Sequence, residues 1–203
     1  MIKLFLIGYL GVLIPGPDML LVIRTSILYG YKDSIYTLLG ILSGNIIYIF
    51  PVILGYTFLI EKYIPYLMII GGIYIIYLSF LMLKKNQNNK TTHYNKSIKS
   101  FYLLGLFTNL SNPKAILYFA SVLLPALIEK DIKIYFLMLS FFIGVILAFL
   151  MLIYFASFIQ NFLQNQKYIK YINIGFFFVF FNYGIYLLYQ GFKIFTSNHI
   201  FHI

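Results

Sequence analysis

The chain has 203 residues, 62% of them hydrophobic and 10% charged, with a mean hydropathy of +0.89 and a formal net charge of +10. Soluble domains are about 45–50% apolar and about 25% charged, so composition alone excludes an ordinary soluble domain and points to an integral membrane protein. The absence of cysteine excludes disulfides, thiolate metal sites and cysteine nucleophiles.

In chain order, the first apolar run, near 4–23, follows Lys3 and is broken at 15–18 by the sequence PGPD. No small-residue cleavage site follows it, so it reads as a retained membrane segment rather than a signal peptide. Further spans are expected near 36–60, 64–83, 101–128, 134–159 and 171–193, each about the length that a ~30 Å hydrocarbon core requires. Between the third and fourth lies KKNQNNKTTHYNKSIKS, residues 84–100, with five lysines and no carboxylate. It reads as a basic loop, and the sequons at Asn89 and Asn95 within it carry no information on the cytoplasmic side. The expected organisation is a first three-helix repeat at 1–83, the loop at 84–100, a second repeat at 101–194 and a short tail at 195–203.

The two halves share an order of features. LIPGPDMLL (13–21) corresponds to NLSNPKAILYF (109–119), the small-residue helix GILSGNIIY (40–48) to SFFIGVILAF (140–149), and IIGGIYIIYLSFLMLKK (69–85) to INIGFFFVFFNYGIYLLYQGFK (172–193). Three spans per half invert the second copy relative to the first. The fold class read from this is an all-α integral membrane protein, six transmembrane helices arranged as a 3+3 inverted repeat, with the first and fourth helices broken by proline. Lysine and arginine divide nine to five between the two sides when Arg24 is counted in a loop, which puts 84–100 in the cytoplasm and both termini outside. The net positive charge therefore reads as membrane orientation, not nucleic-acid binding.

Proline inside a helix costs ~3 kcal/mol or more, and non-helical backbone at membrane depth survives only against protein or a water-filled cavity. Two matching breaks thus predict one shared cavity, with Pro17 and Pro113 at the first position of new half-helices whose free N–H groups favour an anion. Of five acidic residues only Asp18 lies well inside a span, and of fifteen basic residues only Lys114. An intramembrane charge is by default functional. Two other readings stay open: Asp18 as a complement to the helix dipole, and Lys114 as its ion-pair partner or a snorkelling cation. Together the two charges fit a zwitterion, its ammonium at Asp18 and its carboxylate at Lys114 and the N–H groups. The candidate substrate and coupling residues are Pro15, Gly16, Pro17, Asp18, Asn45, Asn109, Asn112, Pro113 and Lys114. Tyr74, Tyr77, Asn182 and Tyr183 are candidates to line a pathway. Gly40 with Gly44, and Ser140 with Gly144 and Ala148, read as helix-packing faces. The HIFH tail, with His199 and His202, has no further ligand near it in sequence, and no metal or cofactor is expected.

LIPGPDMLLVIRTSILYGYKDSIYTLLGILSGN (13–45), GGIYIIYLS (71–79) and FYLLGLFTNLSNPKAILYFASVLLP (101–125) resemble, in that order, landmarks of the LysE/RhtB-type amino-acid exporters. The resemblance implies a six-helix inner-membrane exporter of amino acids and related metabolites, driven by proton exchange. Two positions depart from the family pattern: Ser79 stands where glycine is usual, and Asn45 where the second helix commonly carries an aspartate. The expected partners are an amino-acid-like small molecule, the lipid bilayer and, as a homodimer, a second copy of the chain. An ion transporter or channel on a similar scaffold is the alternative function. The absence of cysteine and the scarcity of intramembrane acids and histidines leave little for a membrane-embedded enzyme to use.

Overall fold

The computed structural model describes residues 2–53, 57–83, 98–115, 118, 134–160 and 166–200, and all regular structure among them is α-helical. The helices are α1 (Ile2–Leu13), α2 (Pro17–Tyr29), α3 (Tyr31–Ile53), α4 (Thr57–Leu83), α5 (Ile98–Leu110), α6 (Ile134–Gln160) and α7 (Gln166–Ile200). Residues 113–115 open a further helix directly after α5.

Four stretches are long and apolar enough to cross a membrane: Tyr31–Phe50, Tyr63–Leu83, Met138–Gln160 and Tyr168–Thr196. Helices α1 and α2, bent by 66° about their break, make a fifth if taken as one broken span. The chain is therefore a multi-pass membrane protein. The fourth expected span, 101–128, is represented by α5, the start of the helix at Pro113 and Tyr118; its remainder lies outside the described residues, as does 84–97 of the basic loop.

Several boundaries differ from those read off charge-free runs. The first span does not end at residue 23: α2 continues to Tyr29, so Arg24 is a buried helical residue and not part of a loop. Its Nη2 donates to Asn173 Oδ1 on α7 at 2.9 Å. The turn after α2 is a single residue, Gly30 at φ 91°, a left-handed conformation that glycine adopts without a Cβ clash. Its N–H donates to Ser26 O at 3.1 Å, and its carbonyl accepts from Ser34 Oγ at 2.8 Å. The second span ends at Ile53 rather than 60, and α4 runs from Thr57 straight through Glu61, Lys62 and Pro65. The final helix extends to Ile200, so the tail expected from residue 195 is helical where described. Charge marks where a helix leaves hydrocarbon, and a helix does not stop there.

Helix α2 is the hub. Its Val22 joins Val12, Ile41, Phe141 and Phe149 in one buried cluster with α1, α3 and α6. The adjacent Leu21 joins Ile75, Leu78, Phe180 and Leu187 in a second cluster with α4 and α7. Around the hub, α3 packs on α5, α1 on α6 and α4 on α7. In lipid, where no hydrophobic force separates helix from tail, such pairs depend on close backbone approach. Glycine supplies it at all three. A methyl group on Gly40 would strike the Tyr102 carbonyl, and one on Gly105 the Thr37 carbonyl, closing α3 on α5. On α6 and α1, Gly144 meets the Phe5 carbonyl and Gly8 the Phe141 carbonyl in the same reciprocal way. Between α4 and α7, Gly72 and Gly184 each place the missing Cβ 2.9 Å from the other's carbonyl oxygen.

Candidate functional site

Both breaks are built alike. Gly16 precedes α2 as its N-cap and Pro17 takes the first helical position, while Leu20 N donates to Gly16 O at 3.0 Å. After α5, Asn112 caps the next helix by accepting at Oδ1 from Lys114 N at 3.1 Å, and Pro113 again takes the first position, where a missing N–H is no loss. Asp18 and Lys114 are thus each the second residue of a new helix. Their side chains reach across to the end of the half-helix in the opposite break.

Asp18 is buried, and its Oδ2 accepts from Asn109 Nδ2, in the last turn of α5, at 2.7 Å. The same amide donates to Asn45 Oδ1 on α3 at 2.8 Å, so one buried asparagine ties the acid to the small-residue helix. Asn45 therefore bonds a neighbouring helix and lines the pocket below as well. Asp18 Oδ1, by contrast, is buried with no hydrogen-bond partner among the described residues. A buried carboxylate oxygen without a donor is costly, and here it is retained inside the bilayer.

Lys114 does not bond to Asp18. Its ammonium donates to the carbonyls of Gly11 at 3.2 Å and Ile14 at 2.5 Å, which the break leaves without helical donors. A cation at a helix C-terminus also complements the dipole. Tyr118 OH donates to the Ile7 carbonyl one turn earlier. At the other break, Tyr48 OH donates to the carbonyls of Asn109 and Leu110. The carbonyls freed at the breaks, those of Gly11, Ile14, Asn109 and Leu110, are thus met by side chains from the opposite half of the chain, as hydrocarbon demands.

Gly16, Asp18, Asn45, Asn112 and Lys114 line one cavity of about 50 Å³, walled by Phe141, Val145 and Phe149 of α6 and by Gly8, Gly11 and Ala115. Asn109 stands just behind it, bonded to the acid. A second space of about 480 Å³ is an open groove between α2 and α7, among Pro15, Gly16, Leu20, Phe178, Asn182 and Tyr183, with Phe178, Val179 and Asn182 exposed. Of the candidate pathway residues, Asn182 and Tyr183 line this larger space, and Asn182 Nδ2 donates to its own Phe178 O at 2.7 Å. Tyr74, packed on Phe107, and Tyr77, exposed on the outer surface, line neither cavity. Among the described residues no group of His, Cys, Asp and Glu is placed to hold a metal.

Arg24, Tyr48, Tyr118 and Asn173 do not stand out in the sequence. For Arg24 the signal was present: a helix started by Pro17 and ended by Gly30 encloses it. The tyrosines are hidden among twenty.

Apolar helices that cross the bilayer, with helix breaks at Pro17 and Pro113 meeting around a buried acid, define a membrane protein built to pass a solute. The chain belongs to the LysE type translocator family, whose model matches residues 9–191. Translocators move a solute and are not enzymes. The chain is 36% identical over 118 residues to a threonine efflux protein of Salmonella typhi, covering 53% of this chain and 57% of the relative. It is 33% identical over 136 residues to a threonine efflux protein of Escherichia coli K12, covering 60% of this chain and 66% of the relative. An uncharacterized membrane protein of Bacillus subtilis matches over 183 residues at 26% identity, 81% of this chain and 86% of the relative. The chain thus spans less than two thirds of the length of the threonine efflux relatives it matches. No solved structure matches it.

Proposed function

We propose that the protein is a secondary transporter that exports a small amino acid across the plasma membrane. The observation that carries this reading is the buried Asp18 carboxylate, its Oδ1 without a hydrogen bond among the described residues, at a small cavity that also holds Lys114 and the Asn45 and Asn112 amides. A substrate ammonium satisfies that oxygen, and the helix N-termini at Pro17 and Pro113 favour the carboxylate. Threonine, named in two of the relatives, is the first candidate. Proton exchange, which the family resemblance implies, is the proposed coupling, with Asp18 alternately holding a proton and the substrate ammonium. Asn45 cannot share that role, since an amide does not exchange a proton at physiological pH. Purified protein in liposomes preloaded with threonine should take up radiolabelled threonine by counterflow and saturate. Flux that neither saturates nor shows counterflow would identify a channel instead.

The proposed architecture is six spans in two inverted repeats. Its support is that exchanging the halves exchanges the interfaces. Gly40 and Thr37 of α3 against Gly105 and Tyr102 of α5 correspond to Gly144 and Phe141 of α6 against Gly8 and Phe5 of α1. The α4–α7 interface corresponds to itself, with Gly72 against Leu188 and Gly184 against Ile76. The proposed orientation places both termini outside. Moving Arg24 from a loop into α2 leaves eight lysines on the loop side against five on the other, so the bias keeps its sign. A reporter that works only in the cytoplasm should be active at residue 94 and silent after Ile203; the reverse pattern overturns this orientation.

A further inference from the structure

The two cavities flanking the first break share one residue, Gly16. The Lys114 side chain runs across it: a methyl group on Gly16 would lie 3.3 Å from Lys114 Cδ and 3.5 Å from Nζ. The ammonium is held there by the Gly11 and Ile14 carbonyls. On one side of this crossing is the groove of about 480 Å³ between α2 and α7, open at the surface where Phe178, Val179 and Asn182 are exposed. On the other is the Asp18 cavity of about 50 Å³. At ~10–15 Å³ of such volume per water, the smaller one admits a few waters and no amino acid.

We propose that the open α2–α7 groove is the vestibule by which a small zwitterion reaches Asp18, and that the Lys114 side chain is the partition its carboxylate displaces. This rests on the reading of the protein as an amino-acid carrier. A carboxylate is a stronger acceptor for an ammonium than a backbone carbonyl is, and a lysine stem is flexible enough to swing with it. Drawn off the α1 carbonyls, Lys114 uncovers Gly16, and the ammonium of the same substrate molecule passes to Asp18 Oδ1. A side chain on Gly16 would crowd the Lys114 stem. An amine that lacks a carboxylate has no means of moving Lys114 and does not pass.

The chain has no cysteine, so single cysteines report without background. Val179→Cys, in the vestibule wall, and Ala115→Cys, in the Asp18 cavity, are labelled in liposomes with a small cationic methanethiosulfonate. Val179→Cys should react rapidly in every background. Ala115→Cys should react at least about tenfold faster when Lys114 is alanine or methionine, the change one charge-assisted hydrogen bond is worth. With Lys114 in place, threonine should accelerate that labelling and its decarboxylated amine should not. Equal Ala115→Cys rates with and without Lys114 overturn the partition. In the unaltered Lys114 background, Asn182→Trp, which fills the vestibule from an exposed position, should slow Ala115→Cys labelling by a similar factor. An unchanged rate overturns the vestibule without requiring any Lys114 variant to fold. Because labelling needs no transport, a failed partition alongside intact threonine counterflow leaves the carrier reading standing. A working partition in a protein that moves no amino acid overturns the carrier reading instead.

Discussion

Asp18→Asn should abolish export while leaving the amount of protein in the membrane unchanged. The amide has the shape of the carboxylate and still accepts from Asn109 Nδ2, so the contact among α2, α5 and α3 persists. What disappears is the negative charge at Oδ1, the atom left without a protein donor. Removing one partner of a buried charged contact costs about 3–5 kcal/mol, at least roughly 100-fold in affinity. Lys114→Gln should impair export as well, by a separate route, because its ammonium is spent on the Gly11 and Ile14 carbonyls. Combining Asp18→Asn with Lys114→Gln therefore should not restore flux. Threonine flux in proteoliposomes, normalised to inserted protein, decides it. Export recovered in the double variant would mean that the two residues matter only as an ion pair.

Gly40→Ala and Gly144→Ala should each destabilise the protein by about 1–3 kcal/mol, the usual cost of overpacking a tight contact. At Gly40 the new methyl meets the Tyr102 carbonyl and lies 2.7 Å from Leu106 N; at Gly144 it meets the Phe5 carbonyl and lies 3.0 Å from Tyr9 N. Each neighbour is backbone of a packed helix, so relief requires moving the whole helix. Gly175→Ala is the control: nothing lies within 4 Å of its added Cβ, and alanine's better helix propensity should leave stability equal or slightly raised. Thermal loss of helical circular dichroism in detergent measures all three. A melt unchanged in Gly40→Ala would refute the packing, and a drop at only one of the two sites would refute the equivalence of the interfaces.

The core of the candidate site was legible in the sequence because each of its members is costly where it stands. Pro15, Pro17 and Pro113 break helices in a medium that punishes exposed backbone, and Asp18 and Lys114 put charge where charge is rarely kept. Such residues announce themselves without a structure. Asn45, Asn109 and Asn112 followed by position, as amides near the breaks. The contacts between them were not legible. A lysine beside an acid in one cavity reads as a pair, and only the bend of α1 away from α2 shows that the nearer acceptors are carbonyls. Arg24 was misplaced because the apolar run stops at Ile23 while the helix, capped at Gly30, does not. Tyr77 was grouped with Asn182 by polarity alone; both are exposed, and only Asn182 lines the α2–α7 groove. Spacing within one helix cannot give its rotation against partners far away in the chain.

The capping of the breaks has a consequence for how the protein is made. The carbonyls at the end of α1 find their donor on Lys114, about a hundred residues further on, and those at the end of α5 find theirs on Tyr48. When only α1–α4 have been made, α1 still ends in open carbonyls, and it stays unfinished until the helix that starts at Pro113 follows. Either half made alone is therefore expected to leave carbonyls unmet at its break, and the two breaks are completed only when the halves dock.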